Sequence, residues 1–115
     1  MLWYYILIIV AACLCCCAAF KRWVDGPVNG YKPSLDSKVV IVTGANTGIG
    51  FTAALEMAKL KPKMLILGCR DPKRGEDAKN KILEQSGLSV ENIRLIALDL
   101  ADLESVKTFS KTVMD

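Results

Sequence analysis

The chain has 115 residues, a formal net charge of +3 and no histidine. That length leaves room for one small domain at most, and a mild charge with no Lys/Arg block argues against a nucleic-acid partner. Hydrophobic residues make up 52% of the chain but are unevenly spread: residues 1–20 carry no charged side chain, whereas the sequence from Lys21 onward reads as an ordinary soluble protein.

The leader, "MLWYYILIIVAACLCCCAAFKRW", is uncharged over a stretch that as a helix spans about 30 Å, one hydrocarbon core. Trp3, Tyr4 and Tyr5 at one end and Trp23 at the other match interfacial aromatic belts. Lys21 and Arg22 follow the run directly, so the positive-inside rule places the following part in the cytosol. A cleavable secretory signal needs a charged start and a shorter apolar core. "VAAC" at residues 10–13 faintly resembles a lipoprotein cleavage site, but the uncharged start argues against that too. The expectation is an uncleaved single-pass anchor over residues 1–23.

Cys13, Cys15, Cys16 and Cys17 lie in this leader and only Cys69 lies beyond it, which is no disulfide framework. Without histidine or a spaced cysteine cluster in the soluble part, no metal site is expected. A reducing, cytosol-facing location fits best. The four leader cysteines stand toward the cytosolic end, where they serve either as S-palmitoylation sites or as small apolar residues. "DGPVNGYKP" then reads as a Gly/Pro linker, with the linker assigned to residues 24–36 and the domain to residues 37–115.

In that domain, residues 38–43 read as a buried strand and residues 49–60 as a helix broken by Lys61-Pro62. "MLILGC" is a second buried strand, followed by a polar-faced helix over residues 72–85 closed by Gly87. "IRLIAL", residues 93–98, is a third strand. From Asp102 the chain is helical again, with Leu103, Val106, Phe109 and Val113 as its core-facing stripe. Alternating strands and helices predict an α/β fold: a Rossmann-type doubly wound parallel sheet with right-handed crossovers, preceded by a transmembrane helix.

The turn after the first strand, "TGANTGIG", carries Gly44, Gly48 and Gly50. A glycine-rich strand-to-helix turn is where doubly wound folds take a dinucleotide, its pyrophosphate lying on the helix N-terminus. Gly44 lets the chain turn, Gly48 lets the backbone approach the phosphates and Gly50 lets helix and sheet pack closely; Asn46 is expected to brace the loop through side-chain hydrogen bonds to the backbone. The second strand ends in Cys69-Arg70, where NAD binders carry an acidic residue for the ribose 2′-OH. A guanidinium here suits the 2′-phosphate, so NADP(H) is favoured over NAD, the alternative being that Arg70 is a solvated loop charge. Asp71 is placed to cap the next helix ahead of Pro72.

"TGANTGIG" directly after "VVIV" resembles the N-terminal signature of the short-chain dehydrogenase/reductase family. The resemblance implies cofactor contacts by Gly44, Asn46, Thr47, Gly48, Ile49 and Gly50. It also implies that Asp99, at the end of the third strand, bonds the adenine amino group and that the Leu100 backbone meets the ring. Asp99 alternatively caps the following helix, although Asp102 is the better cap. "CRDPKRGEDA" and "LDLADLESV", taken with the anchor, look like the membrane-anchored retinol dehydrogenase branch. That likeness implies an NADP(H)-dependent oxidoreductase of a small lipophilic substrate (a retinoid, steroid or lipid aldehyde), held on the endoplasmic reticulum and facing the cytosol.

The family's chemistry also needs a Tyr with Lys four residues on, a Ser, and an Asn-Asn-Ala-Gly turn. Four residues after Tyr4, Tyr5 and Tyr31 stand Ile8, Ile9 and Leu35, and no Asn-Asn-Ala-Gly occurs. The expectation is therefore a fragment carrying the cofactor-binding half, without catalytic residues and inactive alone. The alternative from another class is a non-catalytic, membrane-bound nucleotide-binding or interaction module. A methyltransferase fits worst, because its glycine motif is differently spaced and Arg70 would have no role.

Overall fold

A computed structural model describes residues 1–26, 30–31 and 33–114, which fall into two compact units, residues 1–31 and 32–115. In the first, helix α1 runs Leu2–Val24 with every side chain exposed, and it is long and apolar enough to cross a membrane. It extends one residue beyond the expected anchor and ends where Gly26 takes φ +66, a backbone that a helix does not continue. Part of the expected linker, residues 27–29 and 32, lies outside the described residues; its other residues beyond Val24 form no helix or strand.

The second unit holds β1 (Val39–Thr43), α2 (Gly48–Lys59), β2 (Met64–Cys69), α3 (Pro72–Ser86), β3 (Ile93–Ala97) and α4 (Leu103–Met114). A single 3-10 turn, Val90–Asn92, leads into β3 and was not expected from the pattern. The strands form one parallel sheet in the order β1-β2-β3. Val40 pairs with Leu65 and Val42 with Leu67, so these side chains share a face; Ile41 pairs with Ile66 on the other.

The two faces bury different partners. Leu65, Leu67, Cys69 and Ile93 pack with Ala54 and Ala58 of α2 and Ile82 of α3. On the opposite face Ile66 meets Leu98 and Phe109, flanked by Val106 and Val113 of α4. Helices thus cover both faces of β2, which explains its unbroken apolar sequence. Small residues set the spacing: a Cβ at Gly75 would lie 2.7 Å from Leu95 Cδ1, so α3 sits close upon β3.

Three caps fix where the helices begin and end. Asp71 Oδ1 accepts from the backbone N–H groups of Lys73 (2.9 Å) and Arg74 (3.2 Å), and Pro72 opens α3, which needs no N–H there. Gly87, at φ +65, closes that helix by donating its N–H to Leu83 O. Asp102 Oδ1 accepts from the Glu104 N–H at the start of α4.

Candidate functional site

All three strands end on the same side of the sheet, and the loops that follow them meet there. The Gly44 N–H donates to Gly68 O at 2.8 Å, and the Leu98 N–H donates to Cys69 O at 3.0 Å. These bonds tie the turn after β1 and the residue after β3 to the end of β2. The result is a cleft of about 380 Å³ whose lining includes Gly44, Asn46, Arg70, Arg74, Asp99 and Leu100.

The glycine turn is built for close approach. Gly44 and Gly48 have φ of +65 and +59, and a Cβ added to either would meet no protein atom within 4 Å. The space beside this backbone is therefore open to a ligand. Gly50 differs: a Cβ there would collide with the Gly44 carbonyl and lie 3.3 Å from Thr43 O, so this glycine allows α2 to lie against the end of β1.

Thr47 caps α2 in an extended conformation, without a side-chain hydrogen bond to the first turn. The first helical bond runs from the Phe51 N–H to Thr47 O. The N–H groups of Gly48, Ile49 and Gly50 consequently have no intrahelical acceptor, and with the helix dipole they favour an anion. The Ile49 side chain is 91% exposed, so toward such an anion this residue offers backbone only.

Asn46 does not brace the loop as expected, since among the described residues its side chain makes no hydrogen bond. It is half-buried and turned to ligand space, lining both the main cleft and an adjoining one of about 320 Å³ bordered by Thr47, Gly48, Phe51 and α3. Asp99 accepts the Ala101 N–H on Oδ1 at 3.0 Å, and its own N–H donates to Ser105 Oγ at 2.9 Å. The carboxylate is thereby fixed in the loop with Oδ2 remaining as an acceptor, while Asp102 does the helix capping.

Cys69 closes β2 with its side chain in the core, 1% exposed. Burial pushes its thiol up from the ordinary value, against a weaker opposing effect of a backbone hydrogen bond with Ala45. A neutral, inward-facing thiol offers no carboxylate-like acceptor at the position where an acidic residue would receive a ribose hydroxyl. The exposed Arg70 next to it makes no ion pair among the described residues.

Sequence reasoning missed Arg74, which lines both clefts. Its Nε lies 3.7 Å from Asp71 Oδ2, so the carboxylate that caps α3 also leans on this guanidinium. Both partners are largely exposed, which makes the pair an orienting contact rather than a source of stability. The available signal was position, since Arg74 is the third residue of α3, in the first turn of the helix that follows Arg70.

The profile of the short chain dehydrogenase family matches residues 38–115, which include the whole sheet and the cleft. The chain belongs to that family. It is 44% identical over 89 residues to the short-chain dehydrogenase sdnK of Sordaria araneosa, covering 76% of this chain and 25% of that protein. Retinol dehydrogenase 13 of Mus musculus is 40% identical over 94 residues, covering 82% of this chain and 27% of the relative. The chain thus spans about a quarter of these relatives' lengths. Among solved structures it resembles L-sorbose reductase from Gluconobacter frateurii complexed with NADPH and L-sorbose. The TM-score is 0.62 and the identity 26%, with 72% of this chain and 30% of the other covered.

Proposed function

We propose that this chain carries the NADP(H)-binding part of a membrane-anchored oxidoreductase acting on a lipophilic alcohol or carbonyl of the retinol/retinal kind. The observation that carries the reading is the convergence of an open glycine cradle, α2 N–H groups without intrahelical acceptors, and two guanidinium groups, Arg70 after β2 and Arg74 in the first turn of α3. Gly48, Ile49 and Gly50 present N–H groups to the pyrophosphate, Gly44 turns the chain beside it, and the Asn46 side chain lines the cleft. Arg70 and Arg74 hold the adenosine 2′-phosphate. Asp99 accepts from the adenine amino group while the Leu100 backbone borders the ring. The cofactor, when bound, supplies or accepts the hydride. The NADPH in the L-sorbose reductase structure supports the cofactor assignment, and the likeness to a retinol dehydrogenase supports the substrate class.

Gly48→Val tests the cradle in the full-length enzyme. The added side chain fills the open space beside the loop, and a branched residue at φ +59 also strains the backbone by about 1–2 kcal/mol. NADPH affinity, followed by its fluorescence, is expected to fall at least tenfold in a variant whose melting curve shows it folded. Equal affinity would remove the loop from the site.

Helix α1 is read as the anchor, with residues 37–115 as the cytosolic domain on the endoplasmic reticulum. The uncharged span and the Lys21–Arg22 pair after it support this orientation. Alkaline carbonate should leave the protein in the membrane pellet, and protease added to intact microsomes should digest everything after Trp23. Protection of the soluble unit would reverse the topology.

A second reading is a membrane-bound nucleotide-binding module without catalysis, since the cleft at the strand ends accounts for nucleotide binding alone. Retinal-dependent NADPH oxidation by the full-length protein decides between them: turnover supports the enzyme, and binding without turnover supports the module.

A further inference from the structure

We propose that the cysteines of α1, Cys16 and Cys17 foremost, are sites of S-acylation by long-chain fatty acyl groups. The proposal rests on the reading of α1 as an anchor whose Lys21–Arg22 end faces the cytosol.

All four leader cysteines are exposed, unbridged thiols, and among the described residues none belongs to a group able to hold a metal ion. At 3.6 residues per turn, steps of three and four place Cys13, Cys16 and Cys17 on one face, with Cys15 opposite. Lys21 follows Cys17 by one turn, so the thiol lies about 6 Å below the first charge along the helix axis, and Cys13 lies about 12 Å below it. Cys16 and Cys17 thus sit at the boundary between acyl chains and headgroups, within reach of a membrane-embedded transferase working from the cytosol.

The helix also changes character along its length. Residues 2–10 are all aromatic or large aliphatic, whereas residues 11–19, "AACLCCCAA", hold nothing larger than Cys except Leu14. A slim half-helix leaves lateral space in that leaflet, and an acyl chain attached near the interface runs down into it.

The donor is a long-chain acyl-coenzyme A. The cysteine sulfur attacks the thioester carbonyl carbon, a new C–S bond forms, and the bond to the coenzyme sulfur breaks. The cysteine proton ends on the released coenzyme A thiol, and nothing is oxidised or reduced.

Acyl-exchange labelling tests this on the full chain expressed in eukaryotic cells. Free thiols are blocked, thioesters are cleaved with hydroxylamine, and the new thiols are tagged with a maleimide polymer to give a gel shift. Wild type should show a hydroxylamine-dependent shift. Cys16→Ala with Cys17→Ala should remove more than half of it, and replacing Cys13 and Cys15 as well should abolish it. No shift in wild type, a shift that survives all four replacements, or one released by dithiothreitol instead of hydroxylamine would each overturn the proposal. Carbonate extraction in parallel separates the two readings. Wild type that shows no shift yet stays in the pellet overturns the acylation site and leaves the anchor standing, whereas wild type released to the supernatant overturns the anchor and the site with it.

Discussion

Replacing Arg70 by Asp in the full-length enzyme is expected to move cofactor preference from NADP toward NAD, by a factor of about 10–100 in the ratio of kcat/KM values. On the proposed NADP(H) binding mode, the variant removes a charged hydrogen bond to the 2′-phosphate, worth on the order of 1.5–3 kcal/mol, and places a carboxylate against that phosphate. The same carboxylate can accept from a ribose 2′-OH, which Cys69, buried and neutral, does not do. Arg74→Gln should shift the ratio in the same direction but less, because Asp71 already draws on that guanidinium from 3.7 Å. Both arginines are exposed, so the preference should weaken as salt rises. An unchanged ratio in Arg70→Asp would take Arg70 out of the site and leave it a solvated loop charge.

The legible parts of the fold were those where local chemistry and tertiary packing agree. "MLILGC" reads as a buried strand because it is one, covered on both faces, and its bounds match. Asp71-Pro72 and Gly87 mark the limits of α3 through capping bonds that the sequence itself specifies. Bounds moved by a residue where no such chemistry exists: β1 starts at Val39 rather than Lys38, and α2 starts at Gly48. The 3-10 turn Val90–Asn92 had no periodic signal, being a single turn held by the Asn92 N–H to Ser89 O.

Within the cleft, the convergence of Gly44, Arg70 and Asp99 follows from parallel strands that all end on one side, so their positions could be anticipated from topology. Two features depended on neighbours distant in sequence. Asn46 lines ligand space rather than bonding the loop, since the turn is already held by the Gly44 N–H to Gly68 O. Arg74 read as one charge among several on a polar helix until the packing of α3 beside the glycine turn brought it to both clefts.

The second unit alone, expressed without residues 1–23, is expected to melt broadly or precipitate and to bind NADPH weakly. β1 pairs with β2 on one side only, and among the described residues no strand covers its other edge. Its α4-side face is bare as well: Val39 is 55% and Ile41 47% exposed, since α4 packs over β2 and β3. A long apolar edge with unpaired N–H and C=O groups is a template for pairing with another copy. The second core is small, with Ile66, Leu98 and Phe109 as its buried members. A core at this scale yields about 3–5 kcal/mol at best, which an exposed β1 readily offsets. Ile41→Lys should therefore raise the solubility of the isolated unit, because it charges the bare face without entering either core. Calorimetry and light scattering at increasing concentration would follow both effects. A sharp two-state transition with micromolar NADPH affinity in the unmodified unit would instead show that three strands suffice, and would favour the stand-alone binding module.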